Sequence, residues 1–364
     1  MSVARSILDT LGRSILVDGR PIYIRASAGV AVAPAAGATF EDALRQADVA
    51  MYEAKRRGGD EVVPYSSLYD ASRSDALAMA GDLRTAMDRD ELWVAYQPIV
   101  DVLSGECLKL EALARWDHPE RGAISPGEFI PLAERSGLIR ALGLWVLDRA
   151  LGDLAAWRAA GMVPGVAVNV SMRQLGDGTL VGALLSTLER RRLPASAVTV
   201  EVTESTIMRE ASRVIADLTA LRAAGVHIAV DDFGTGYSSL AYLHDLPIDE
   251  VKIDRSLVGA AMTNARAAII VRDAAALARE MALSFVAEGI DDERTLAFIG
   301  TLPGVWAQGF LIGRPMRTDA LPAWLAGHRA RTRLSKDGFE HMQMAFETLA
   351  ERPDGSRAAT LPDP

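Results

Sequence analysis

From Leu92 to about Ala326 the chain alternates short apolar runs with helical segments of ten to twenty residues. The runs are "WVAYQPIV", "CLKLEALARW", "GVAVNVS", "TVEVTES", "HIAVDDFG", "EVKIDR", "SFVAEGI" and "GVWAQGF". Strand and helix in strict alternation imply a parallel sheet with helices outside, and about eight such units suit a (β/α)8 barrel. Residues 1–66 follow another pattern, read as helix, strand, helix, strand. "PIYIRASAGVAVAP" alternates as a half-buried strand pair, and "TFEDALRQADVAMYEAKRRG" has helical spacing, with Thr39 as N-cap and Gly58 as C-cap. "DEVVPY" closes that unit as a strand. The charged, proline-free stretch at 67–91 reads as a connecting helix. After Ala326 a helix over "DGFEHMQMAFETLAE" gives way to "RPDGSRAATLPDP", whose composition predicts disorder.

Composition narrows the function classes. A net charge of −9 argues against a DNA- or RNA-coating protein. It leaves room for a small anionic substrate, because bound cations reverse the sign locally. No apolar run reaches the length of a membrane span, and "MSVARSILDTLGRS" lacks a signal-peptide pattern. The single cysteine, Cys107, rules out an internal disulfide framework and points to a reducing cytoplasm.

The chemistry lies at the strand ends. Successive runs deliver Glu111, Asn169, Glu201 with Glu204, Asp231 with Asp232, Lys252 with Asp254, Glu288 and Gln308. In a barrel these ends converge on one mouth. One acid at a strand end is usually a helix cap or a solvated loop residue; the same placement on strand after strand is a stronger signal. Facing carboxylates repel unless cations intervene. Oxygen donors without thiols or paired histidines suit Mg2+ or Mn2+. Adjacent Asp231 and Asp232 could serve two ions, the arrangement that stabilises both oxygens of an in-line phosphoryl displacement. Lys252, between Val251 and Ile253 in a core strand, should point into the mouth, where the carboxylates partner it. Asp254 and Glu204 also read as supports rather than ligands.

These residues resemble a known family. "EALARW", with "YQPIV", "SPGEFIPLAERSGLI", "VAVNVS", "EVTES", "DDFGTGYSSLAYLHDLPIDEVKIDRSLV", "VAEGI" and "QGFLIGRPM", is similar to the EAL cyclic di-GMP phosphodiesterases over residues 80–326. The resemblance implies a barrel whose first strand runs antiparallel to the rest. It implies hydrolysis of cyclic di-GMP to linear pGpG with two Mg2+ or Mn2+ ions. Glu111, Asn169, Glu201 and Asp231 would hold one ion, and Asp231 and Asp232 the other. Glu288 falls on a further metal-site glutamate, and Lys252 would orient the attacking water. Gln97, Arg115, Gln308 and Asp254 fall on the substrate side, with Arg115 gripping a phosphate. Glu204 would anchor the loop "DFGTGYSS", where Gly234 and Gly236 permit tight turns. In the family that loop couples the metal site to dimerisation, which implies a homodimer. Ile290-Asp291 and Phe310 depart from the usual residues, and neither removes a ligand.

Residues 1–66 resemble the C-terminal part of a GGDEF diguanylate cyclase domain, through "ASAGVAVAP" and "ADVAMYEAKRRG". The letters GGDE, Gly58, Gly59, Asp60 and Glu61, follow the last helix, where the family's catalytic string does not lie. They read as a helix cap and strand start. The expected division is a truncated GGDEF segment at 1–66, a linker helix at 67–79, a phosphodiesterase domain at 80–328, and a helix and tail at 329–364. The rival to an active hydrolase is a cyclic di-GMP receptor without turnover. A bifunctional enzyme would need the upstream half of a cyclase.

Overall fold

The computed structural model describes residues 1–332, except 13–14, 18–19, 23–25, 33–38, 57–58, 163, 205–210 and 235–245. It falls into two compact units, one ending at Thr85 and one beginning at Ala86.

In the first unit, helix Phe40–Arg56 lies on a parallel strand pair, Ala28–Val30 with Val62–Pro64. The approach is backbone to backbone: a Cβ on Gly29 would fall 1.9 Å from the Ala47 carbonyl oxygen. Ala50, Ala54 and Val63 are buried there. Thr39 caps the helix as expected, its Oγ1 accepting from Asp42 N at 3.2 Å while Asp42 accepts from Thr39 N at 3.0 Å. The expected pairing within "PIYIRASAGVAVAP" is corrected. Arg20–Ile22 pairs with Ile15–Val17, and Ala28–Val30 pairs with the distant Val62–Pro64. Gly59 closes the helix end with φ +78° and donates from its N–H to Ala54 O at 3.0 Å. Gly59, Asp60 and Glu61 thus lie between helix Phe40–Arg56 and strand Val62–Pro64. Gly58 lies outside the described residues.

The second unit is a closed eight-stranded barrel. Its strands are β1 (Leu92–Asp101), β2 (Cys107–His118), β3 (Gly165–Asn169), β4 (Val198–Thr203), β5 (His227–Phe233), β6 (Glu250–Ile253), β7 (Ser284–Ala287) and β8 (Val305–Ala307). Each of the eight predicted runs forms one strand. Strands β2 to β8 pair in sequence and in parallel, and β1 closes the ring antiparallel to both β2 and β8. Reversal of β1 is possible because a five-residue turn, 102–106, joins it to β2 as a long hairpin, whereas each parallel step needs a helical crossover. The core between barrel and helices is apolar, with Tyr96, Trp116, Phe129, Leu110 and Leu151 fully buried.

The barrel interior is different. Side chains two apart on a strand share a face, so Lys109 and Glu111 of β2, Thr199 and Glu201 of β4, and Glu250 and Lys252 of β6 all point inward in two successive layers. Branched apolar residues usually fill these layers. Here the lower layer holds a buried ion pair, with Lys109 Nζ 2.6 and 2.5 Å from the two Glu250 oxygens. The upper layer opens on the C-terminal mouth. The tail beyond Thr332, including the expected helix, lies outside the described residues.

Candidate active site

Lys252 is the centre of the upper layer. It is fully buried, and its Nζ lies 2.7 Å from Glu288 Oε1, 3.0 Å from Glu201 Oε2, 3.5 Å from Asp231 Oδ1 and 3.7 Å from Glu111 Oε2. Burial disfavours the ammonium, but Glu111, Glu201, Glu288 and Asp231 together outweigh it and hold Lys252 well above its ordinary value. Lys252 is therefore charged in this state.

The carboxylates divide by their partners. Glu111 accepts from Asn169 Nδ2 at 2.6 Å on one oxygen and from Gln308 Nε2 at 2.5 Å on the other. Burial pushes its carboxyl up, but Lys252 and the two amides more than compensate, so it stays below the usual range. Glu201 is also buried, yet among the described residues its Oε1 has no hydrogen-bond partner. Burial raises it well above the usual range, and Glu111 and Asp231 add to the rise against the pull of Lys252. Glu288 is pushed up to about 8, first by burial and then by Asp231 and Glu111, with Lys252 opposing. Asp232 is raised by burial, then by Asp231 and Asp254.

Asp231 and Asp232 are neighbours on β5, and in a regular strand they would face opposite sides of the sheet. The register of β5 against β6 shifts between Val230 and Phe233, and Asp232 takes φ +56°, a left-handed conformation that aspartate tolerates better than most residues. As a result one oxygen from each of Asp231, Asp232 and Glu288 falls within a 4.8 Å group.

Gln97, from the middle of reversed β1, stands opposite Glu111 in register. It accepts from Gln308 Nε2 at 3.3 Å and donates to Gly313 O at 3.1 Å. Gln308 Oε1, like Glu201 Oε1, is buried without a partner among the described residues. Two loops carry Glu288 and Gln308, and they are stitched together. Ile290 N donates to Gln308 O at 3.0 Å, Leu311 N to Ile290 O at 3.0 Å, and Phe310 N to Asp291 Oδ1 at 2.9 Å. Gly309 is required there, since a Cβ would lie 2.2 Å from Ile290 backbone atoms.

The remaining predicted residues lie around this cluster. Glu204 Oε2 accepts from Gly234 N at 3.2 Å, and Gly234 has φ +93°; Gly236 lies outside the described residues. Asp254 is the N-cap of helix Arg255–Ala261 and accepts from Ser256 N at 2.9 Å. Arg115 is half-buried, donates to Ala114 O at 2.8 Å, and lines a cavity of about 1210 Å3 that runs outward from Asn169 and Glu201. Ile130, Leu142, Val146 and Met172 give that cavity apolar walls.

Three cavity-lining residues were not singled out in the sequence, although "SPGEFIPLAERSGLI" contains Glu134, "VAVNVS" ends on Ser171 and Gln174 follows three residues later. Ser171 Oγ donates to Glu134 Oε1 at 2.5 Å, and Ser171 N donates to Gln174 Oε1 at 2.9 Å. Gln174 is buried against Gly143, where a Cβ would fall 1.6 Å from Gln174 Nε2. This braces the chain just after Asn169.

Can the cluster hold cations? Five carboxylates, Glu111, Glu201, Asp231, Asp232 and Glu288, face one ammonium, so full ionisation would leave four negative charges uncompensated. A buried orphan carboxylate oxygen and three raised carboxyl groups are what an oxygen-donor site looks like before its ions are counted. The donor set fits hard divalent cations.

The EAL domain model matches residues 80–315. The chain belongs to the EAL domain family. The diguanylate cyclase GGDEF domain model matches residues 1–61. Over 326 residues the chain is 39% identical to the bifunctional diguanylate cyclase/cyclic di-GMP phosphodiesterase MucR of Pseudomonas aeruginosa, covering 89% of this chain and 48% of that protein. It is 35% identical over 324 residues to the cyclic di-GMP phosphodiesterase PdeR of Escherichia coli, covering 89% of this chain and 49% of that one. The chain thus spans about half the length of these relatives. A solved PaMucR phosphodiesterase in complex with c-di-GMP superposes with a TM-score of 0.64 at 43% identity, covering 67% of this chain and 99% of that chain.

Proposed function

We propose that the barrel hydrolyses cyclic di-GMP to linear pGpG, using two divalent cations, Mg2+ or Mn2+. The observation that carries this is the charge imbalance around Lys252, in a family whose solved relative has c-di-GMP bound. Glu111, Asn169, Glu201 and Asp231 would hold one ion, Asp231 and Asp232 the other, with Glu288 beside them. Bound there, the cations supply Lewis-acid stabilisation of the entering and leaving oxygens of phosphoryl displacement.

The chain's own residues do the rest. Asn169 donates its Nδ2 to Glu111, which leaves the amide oxygen to face a cation. Gln308 fixes the other Glu111 oxygen, and Gln97 in turn accepts from Gln308. Lys252 would orient the attacking water and stabilise the negative charge that develops on its oxygen, since cations entering the cluster would share the carboxylates that now hold the ammonium. Arg115, half-buried at the cavity's inner end, would grip a phosphate, and Asp254 would act from the rim. The Glu204–Gly234 hydrogen bond supports the reading of that loop as a brace, and the homodimer through the barrel domain rests on the same resemblance.

The domain division at 66, 79 and 328 is likewise our inference. A cytoplasmic location rests on the lone cysteine, and no helix among the described residues is long and apolar enough to cross a membrane. Chromatography of nucleotides after incubation with cyclic di-GMP and Mg2+ or Mn2+ tests the activity. Formation of pGpG is the expected result; tight binding without product would establish a receptor instead. With GTP in place of cyclic di-GMP, no cyclic product should form.

A further inference from the structure

The cavity beyond Arg115 contains one acidic group that the hydrolysis does not use. Glu134, on helix Pro126–Ser136, is half-buried in the cavity wall, away from the Lys252 cluster. Its Oε1 is fixed by the Ser171 hydroxyl, and Ser171 is itself fixed by the buried Gln174. Among the described residues Glu134 Oε2 accepts no hydrogen bond. A half-buried carboxylate held in one orientation with an oxygen to spare is poised for donors from outside the protein.

The surrounding wall limits what those donors can be. Ile130, Leu142, Val146 and Met172 offer flat apolar contact of the kind that takes the faces of a purine. Guanine presents two adjacent N–H donors, at N1 and N2, which one carboxylate can accept together. Adenine presents a bare N1 at the same place, and its lone pair would face the carboxylate. Taking cyclic di-GMP as the substrate, as proposed above, we infer that Glu134 reads the N1–H and N2–H edge of one guanine and so sets the base specificity of the site. Ser171 and Gln174 act through it as positioning residues.

The test is a binding cycle in Ca2+, chosen to suppress turnover, with cyclic di-GMP and with cyclic di-IMP, which lacks only the 2-amino groups. Glu134→Gln should weaken cyclic di-GMP binding by roughly 10- to 100-fold, the range of a hydrogen bond to a charged group. In Mg2+ the same variant should raise KM while kcat stays within about threefold, because its contacts are made equally in ground and transition states. Cyclic di-IMP should bind the natural protein more weakly than cyclic di-GMP, and Glu134→Gln should nearly erase that difference. Equal losses for the two ligands would overturn the assignment. Ser171→Ala keeps the carboxylate but frees it, and should show a smaller loss with the same dependence on the base; it carries the test if Glu134→Gln fails to fold. If the natural protein neither binds nor cleaves cyclic di-GMP, the substrate reading falls first. If it does both and the variants match it, only the role of Glu134 falls.

Discussion

The two ends of the barrel interior hold the same kinds of residue in opposite balance. At the lower end Lys109 meets one carboxylate, Glu250, and both oxygens of that carboxylate are used. Two residues further along the same two strands, Lys252 meets four. Both lysines are buried, so burial of a charge alone does not mark a functional site. The lower pair balances one ammonium with one carboxylate; the upper cluster gathers more carboxylates than its one ammonium can balance.

Breaking the upper cluster should have the largest effect. Asp231→Asn or Glu111→Ala should lower hydrolysis by about a thousandfold or more, equivalent to several kcal/mol of transition-state stabilisation. Thermal unfolding in chelator should remain cooperative, since each change removes one surplus negative charge. Near-normal turnover in either variant would sink the two-cation assignment. Lys252→Ala should cut kcat by roughly 10^2- to 10^4-fold with little change in KM. Arginine should not rescue it, because a planar guanidinium cannot replace a compact ammonium among four carboxylates. Recovery of the rate with excess Mn2+ would make Lys252 a counter-ion only.

At the lower end the signature should reverse. Lys109→Met leaves Glu250 buried and unpaired, at a cost of about 3–5 kcal/mol in denaturant unfolding. Activity per folded molecule should stay within about threefold. Adding Glu250→Met should recover most of the lost stability, and failure to recover would show that the pair does more than balance itself.

Cation binding gives a smaller effect. At 100 times its dissociation constant Mg2+ or Mn2+ should stabilise the protein by about 2.7 kcal/mol, visible as a rise in Tm that Asp231→Asn abolishes. Ca2+ should support little turnover, since it prefers longer bonds and more ligands. The smallest effect should come from Gly143→Ala. Gln174 must move to admit the methyl group, at about 1–3 kcal/mol, and an unchanged melting curve would show that the brace behind Asn169 is slack.

Much of this was legible in the sequence. The eight strand runs are apolar and evenly spaced, so each could be placed, and the polar residues at their ends marked the mouth. Periodicity does not say which way a strand runs, so the reversal of β1 came from the family resemblance alone. Nor does it say where a strand pairs: Ala28–Val30 looks like the partner of its neighbour, yet it bonds with Val62–Pro64 across a whole helix. Lys109 could have been found by counting two residues back from Glu111, but its partner lies 141 residues away. Glu134, Ser171 and Gly143 come from three separate segments that only the folded cavity wall brings together.

The stitching between the loops of Glu288 and Gln308 bears on motion. Three hydrogen bonds and the close seat of Gly309 against Ile290 make the two loops one mechanical piece. A fluctuation that lifts either loop must break the same bonds, so the amides of Ile290, Phe310 and Leu311 open to solvent together as one cooperative unit. Glu288 and Gln308, twenty residues apart in the chain, therefore keep time with each other.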